Sequence, residues 1–200
     1  NDIGHRRLME MMDEFQLDEL NELRDFIFEH SLRATLERLK KLPTGSYENE
    51  MSVDGFDETV TMKLRLDVSG KEVLADFDGT SGLSRKGINV PLVYTTAYAC
   101  YALKCTLAPQ IPNNHASLSP FKVSAPVNCI LNAVHPAPVA VRHVLGQFLP
   151  DVVLGALHKM LPDTVPAEGS SALWNVQLGA YPIEGAEPAE GEVLRNSQIL

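Results

Sequence analysis

Apolar residues recur at helical spacing from the first turn of the chain. Leu8, Met11, Met12 and Phe15 fall on one face of a first short helix that Asp2 is placed to cap. A longer helix is predicted over about residues 17–41, with Leu20, Leu23, Ile27, Leu32, Leu36 and Leu39 at helical spacing and Pro43 as its stop. Glu29/Arg33 and Glu37/Lys41 stand four apart with the acid on the N-terminal side, the order the helix dipole favours. A one-sided apolar face needs a covering surface. This arm, residues 1–42, is therefore expected to dock on the following domain or on another chain.

The period changes after Pro43. Residues 45–51 and 59–68 alternate apolar and polar side chains, and Ser69-Gly70 makes a tight turn into residues 72–77, which together predict an antiparallel meander. Asp78-Gly79-Thr80-Ser81-Gly82 is a small-residue loop, and Asn89 is expected to cap a helix that has Pro91 in its first turn. That helix, residues 90–107, has Lys104 as its one charge and is predicted to be buried on most sides as the spine of the core. Pro109 and Pro112 end it. A strand pair over residues 121–124 and 127–131 follows, then the Pro-rich link His135-Pro136-Ala137-Pro138. A helix over residues 139–161 carries Pro150, where a kink or a fresh N-terminus is expected. Residues 172–180 read as a last strand, and the Glu/Pro/Gly-rich stretch 182–200 reads as an exposed linker or frayed end. The expected fold is α+β: a helical arm (1–42), then a core (43–181) in which a meander and further strands surround a buried central helix and a Pro-kinked helix.

With 44% hydrophobic residues in 200, the chain can bury a sizeable core. A formal net charge of -9 argues against a nucleic-acid partner, because no Lys/Arg-rich face is present to release counterions. Residues 88–103 form the longest low-charge stretch but are too short and too polar for a membrane span. Cys100, Cys105 and Cys129 are an odd set without a CxxC, which reads as reduced, packed thiols in the cytoplasm. The chain opens without Met inside a helical pattern, so it is expected to be an interior piece of a longer enzyme.

The sequence has no GxSxG elbow, P-loop, GxGxxG or HExxH, and no histidine stands at metal-type spacing from another ligand, so no metal site is expected in this region. Three segments still place polar groups where packing does not ask for them. Backbone N–H groups of Asp78, Gly79, Thr80 and Ser81, with Asn89 at the following helix, are placed to hold an anion; the same loop also reads as a glycine turn that caps itself. Arg142-His143 pairs an anion-holding guanidinium with a proton carrier, or is an exposed basic pair on a first turn. Pro166-Ala167-Glu168-Gly169 offers one acid in a small-residue loop, or a turn into the strand that holds Trp174.

In order along the chain, these segments resemble the hydantoinase B/oxoprolinase family. The resemblance is carried by Leu42-Pro43-Thr44-Gly45-Ser46-Tyr47, Asp76-Phe77-Asp78-Gly79-Thr80-Ser81 and Gly87-Ile88-Asn89-Val90-Pro91. It continues through Tyr101-Ala102-Leu103-Lys104-Cys105, Ile111-Pro112-Asn113-Asn114 and Arg142-His143-Val144 with Pro150-Asp151-Val152-Val153, and ends at Leu161-Pro162 with Val165-Pro166-Ala167-Glu168-Gly169. The resemblance implies ATP-dependent opening of a small cyclic amide such as a hydantoin or 5-oxoproline. In that scheme an A-type partner activates the amide oxygen and the B-type chain completes hydrolysis. ATP and a divalent metal are implied for the full enzyme, the metal segment lying upstream of Asn1. Arg142 would then hold a carboxylate or phosphoryl group and His143 would pass a proton, in one site with the loop from Asp78 to Ser81. An acetone-type carboxylase chain and a non-catalytic assembly region are the competing readings.

Overall fold

A computed structural model describes residues 1–167; Glu168, the strand expected at 172–180 and the expected linker 182–200 lie outside the described residues. Strands β1 (Gly45–Val53), β2 (Val60–Val68), β3 (Val73–Asp76) and β4 (Phe121–Ser124) form one sheet in the order β1-β2-β3-β4. The first three are antiparallel, with Gly45 opposite Val68 and Arg65 opposite Asp76, as the alternation predicts. The fourth joins β3 in parallel, so the sheet is mixed and continues beyond the meander. Helix α3 (Leu92–Leu107) lies between β3 and β4 in sequence and makes the long crossover that a parallel pair requires.

The pleat sorts β2 cleanly. Val60, Met62, Leu64, Leu66 and Val68 are buried, while Lys63 and Arg65 face solvent. Against the apolar face pack α3 and α6 (Leu149–Met160), and Phe77, Leu103, Leu107 and Leu157 close the core. The helix expected at 139–161 is two pieces, α5 (His143–Gly146) and α6. Pro150 sits in the first turn of α6, where its missing N–H costs no hydrogen bond, so it starts a helix and does not kink one.

Several expectations change. Residues 127–131 do not form a strand. Asn128 takes φ 65, Cys129 N–H turns back to the Pro126 carbonyl, and pairing shrinks to one bridge between Gly82 and Cys129. Asn89 does not cap α3; the helix starts at Leu92 behind Pro91, with no side-chain cap. Nor is α3 covered on most sides. Val93 is 77% and Tyr101 63% exposed, and Ala97 and Cys105 complete a stripe with them at every fourth position. Cys105 is thus a surface thiol, whereas Cys100 and Cys129 are buried, and all three are free. Lys104 is buried instead, its ammonium donating to the carbonyls of Ala108 and Ile111 and so closing the C-terminal end of α3.

In the arm, Asp2 lies inside the first turn of α1 (Asp2–Glu14) and does not cap it, and none of the residues of α1 is buried. Of its apolar stripe, helix α2 (Asn21–Leu39) fully buries Leu39 alone; the other buried residues are Ser31 and Thr35, and the helix packs against α4 (His115–Leu118). Ser31 and Asn114 exchange hydrogen bonds, Thr35 Oγ1 donates to the Ser117 carbonyl at 3.3 Å, and Arg38 Nε donates to the Leu107 carbonyl at 2.9 Å. The small hydroxyl residues let the two helices approach closely. Phe26 and Ile27, further up α2, stay exposed.

Helix α6 approaches the sheet closely at Gly155. A Cβ there would lie 2.1 Å from Asn49 Nδ2, which itself donates to the Val152 carbonyl at 3.0 Å. Gly155→Ala should therefore cost about 1–3 kcal/mol of stability by overpacking. Gly4→Ala, where a Cβ meets nothing, should raise helix content without lowering the thermal midpoint. Paired thermal melts followed by circular dichroism check both; an unchanged midpoint for Gly155→Ala would show that α6 and β1 are not in close contact.

Candidate functional site

Where β3 stops at Asp76, the β2 peptide groups at Thr61 and Lys63 lose their neighbouring strand, and the following loop supplies replacements. Gly79, at φ +79, turns the chain back. Thr80 Oγ1 accepts from Lys63 N–H at 3.0 Å and donates to the Lys63 carbonyl at 3.2 Å. Ser81 Oγ accepts from Thr61 N–H at 3.0 Å, and Ser81 N–H donates to the Thr61 carbonyl at 2.9 Å. Both hydroxyls thus complete the sheet. Asp78 faces outward at the edge of a cleft of about 450 Å³ that Glu48, Lys63, Arg65, Asp76 and Lys159 also line. Across that outer sheet face Arg65 pairs with Asp76 at 2.8 Å and with Asp67 at 3.1 Å, and Ser124 Oγ donates to Asp76 at 2.8 Å.

Asn89 is fully buried, and its carboxamide joins two segments distant in sequence. Its oxygen accepts from Ser84 N–H at 2.8 Å; its NH2 donates to the carbonyls of Ser84 at 2.9 Å, Lys86 at 3.0 Å and Pro138 at 2.8 Å. Val141 N–H donates to the Gly87 carbonyl at 2.9 Å and Val90 N–H to the Ile130 carbonyl at 2.7 Å, so loop 84–90 and link 130–141 are laced together. Ser81 and Gly82, with Arg85 and Lys86 beyond them, line a second cleft of about 560 Å³.

Arg142 and His143 stand directly after that link, at the start of α5. The Arg142 guanidinium is exposed and donates to the Val139 carbonyl at 3.3 Å; His143 is half-buried. Neither lines the two clefts that border the loop from Asp78 to Ser81. The structure brings Arg142 instead to Tyr94, whose ring stacks on Tyr98 with centroids 4.4 Å apart and planes 10° from parallel. Gly146, one turn after Arg142, makes room for this: a Cβ there would lie 2.2 Å from the Tyr94 ring. Burial, the hydrogen bond to Tyr98 and the charge of that second phenol push Tyr94 up from 10.0 to about 12, while the Arg142 guanidinium pulls the other way. Sequence reasoning passed over this pair, although Tyr94/Tyr98 and Arg142/Gly146 are both at one-turn spacing.

Among the described residues no three His, Cys, Asp or Glu side chains converge, so these residues do not fit the divalent ion that the resemblance implies for the whole enzyme. No described helix is long and apolar enough to cross a membrane.

The architecture, a mixed sheet backed by α3 and α6, recurs in solved structures of much longer chains. The ATP-dependent caprolactamase from Pseudomonas jessenii superposes with a TM-score of 0.73 at 20% identity, covering 82% of this chain and 29% of that one. Acetone carboxylase superposes with a TM-score of 0.61 at 16% identity, covering 78% of this chain and 22% of that one. By sequence the chain belongs to the Hydantoinase B/oxoprolinase family, whose profile matches residues 1–194, as the ordered motifs implied. It is 29% identical over 193 residues to the B-type subunit of a putative D-/L-hydantoinase from Pseudomonas sp. (strain NS671), covering 90% of this chain and 32% of that protein. It is 26% identical over 170 residues to 5-oxoprolinase 1 of Arabidopsis thaliana, covering 78% of this chain and 13% of that protein. The chain spans a third or less of the length of these relatives.

A phenol held protonated to about pH 12 is directly measurable. Ultraviolet titration should show one late-ionising tyrosine that Tyr94→Phe removes and that Tyr98→Phe moves down, while Arg142→Ala moves it up. Because the folded value lies above 10.0, the contribution of Tyr94 to stability is complete below pH 10 and is lost as pH rises toward about 12. A titration in which every tyrosine ionises in the ordinary range would contradict the burial of Tyr94 and its hydrogen bond to Tyr98.

Proposed function

We propose that this chain is part of the B-type subunit of an ATP-dependent hydrolase that opens small cyclic amides, working in the cytoplasm with an A-type, ATP-using partner. The observation that carries the reading is the family match over residues 1–194, with relatives named for hydantoinase and 5-oxoprolinase activity. ATP, used on the partner, supplies the activation of the amide oxygen, and a divalent metal belongs to the remainder of the longer enzyme.

The residues of this chain suit the second half of such a reaction. Hydrolysis adds a water oxygen to the carbonyl carbon and breaks the C–N bond, so the departing nitrogen needs a proton and the attacking water must lose one. His143 carries an imidazole, the side-chain type able to take a proton from water and give one to the departing nitrogen. Arg142, exposed and bonded to one carbonyl at 3.3 Å, retains donors for a carboxylate or phosphoryl oxygen. Asp78, Gly79, Thr80, Ser81 and Asn89 would serve anion binding from the loops that border the two clefts. The two hydroxyls and the Asn89 carboxamide hold the backbone, and Asp78 and Gly79 face the solvent side of the turn. Glu168, outside the described residues, is the acid that the motif Val165-Pro166-Ala167-Glu168-Gly169 would contribute. The exposed apolar stripe on α3 and the bare faces of Phe26 and Ile27 support an assembly role alongside catalysis.

Turnover of the full-length parent with its A-type partner should be screened against hydantoins, 5-oxoproline, and ketones with bicarbonate. ATP-dependent ring opening is expected, and none from the isolated 200-residue chain. His143→Ala should lower turnover about a hundredfold while the complex stays intact, the ordinary worth of a general acid. An unchanged rate would leave His143 a surface residue. Loss of the complex would move the region from catalysis to assembly, and ketone carboxylation in place of ring opening would favour the acetone-type reading.

A further inference from the structure

The cleft of about 560 Å³ between the β1–β2 turn and loop 81–86 has the size of a small-molecule pocket, and its lining is sorted by chemistry. Val60, Ile88 and Ile130 reach it from the buried core and make an apolar base. Arg85 and Lys86 stand on one wall, Asp57 and Glu58 on the other. None of these four forms an ion pair among the described residues, so opposite charges border one cleft without closing across it.

Both walls are fixed by the backbone. Asn89 grips Ser84 through its N–H and its carbonyl and grips the Lys86 carbonyl, while Lys86 N–H donates to Ser84 Oγ at 3.1 Å. Arg85 therefore sits on a turn pinned from the core. On the acidic side a Cβ on Gly55 would lie 2.0 Å from the Glu58 carbonyl oxygen, so that turn closes tightly and sets where Asp57 and Glu58 project. Phe56, 65% exposed, stands at the mouth as a ready apolar cover. Walls fixed in advance lose little entropy when a ligand arrives.

We infer that this cleft binds a small dipolar molecule, its carboxylate held by Arg85 and Lys86, its N–H groups by Asp57 and Glu58, and its carbon skeleton by the apolar base. The inference goes beyond the proposed ring opening and does not require it. If that reading also holds, a ring-opened amino or ureido acid has this chemistry, and the cleft is a place for product or substrate to dwell.

Isothermal titration of the full-length protein with N-carbamoylglycine tests it, with the neutral N-carbamoylglycinamide and with propionate as controls. Saturable binding of N-carbamoylglycine is expected, with both controls at least about tenfold weaker, the value of one charge-assisted hydrogen bond. Arg85→Ala/Lys86→Ala should weaken N-carbamoylglycine about tenfold or more, and Asp57→Asn/Glu58→Gln should weaken it without affecting propionate. All four positions are exposed, so the fold should tolerate these changes, which a thermal melt of each variant checks. Equal affinity for propionate, binding that survives both double variants, or no saturable binding at all would overturn the inference. ATP-dependent turnover measured in parallel separates the two ideas. Turnover with binding indifferent to Arg85 and Lys86 defeats the cleft and spares the ring-opening reading; specific binding without turnover on any cyclic amide does the reverse.

Discussion

One buried carboxamide organises the polar half of this structure. Asn89 bonds backward to Ser84 and Lys86 and forward to Pro138, and so ties the loop that follows the sheet to the link that precedes α5. Buried amides are costly unless their hydrogen bonds are made, so a side chain with every group engaged permits one loop arrangement and penalises the rest. From that anchor the geometry spreads outward. The Ser84–Lys86 turn sets the cationic wall of the larger cleft, and the Gly87–Val141 bond delivers Arg142 to the start of α5, where Gly146 seats the Tyr94 ring.

The apolar half works by different means. The inward residues of β2 meet α6, and α3 crosses over to bring β4 alongside β3. This sheet ends too early on one side, at Asp76, and the chain repairs the end with the Thr80 and Ser81 hydroxyls in place of strand backbone. The loop that resembles an oxyanion cradle in sequence is thus first a sheet-completing device. The outward side chains on the same strands form an exposed charge network, in which Arg65 serves Asp67 and Asp76 together. Exposed pairs of this kind contribute little to stability, and they leave Asp78 at the edge of a polar cleft.

The helical arm, the three-stranded meander and the break at Pro150 were legible because each leaves a local signature of period, turn or proline. Features decided by distant partners were not. Nothing within residues 121–124 says that their strand will run parallel to β3. The apolar run 127–131 has strand composition, yet Pro126 and the positive φ of Asn128 fold it into a turn. Asn89 stands where a helix cap would, but its side-chain oxygen is taken by the Ser84 N–H, while its NH2 reaches the Pro138 carbonyl far along the chain. A helix apolar nearly all round, such as α3, does not reveal in its own sequence which stripe stays bare. Of the candidate site, the loop and the Arg142-His143 pair were readable as residue types, whereas the Tyr94–Tyr98 stack and the two-walled cleft exist only through tertiary contacts.

Asn89 couples loop 84–90 to link 130–141. Native-state amide hydrogen exchange on the Asn89→Ala variant measures that coupling directly, with the β1–β2 ladder as internal control. The Ser84 amide should lose about tenfold or more of its protection with its acceptor removed, and the Val141 amide should lose protection with it once the tie to Pro138 is gone, while ladder amides keep theirs. Faster exchange at Ser84 with Val141 unchanged would contradict it, leaving Asn89 a local loop residue and the two segments independent.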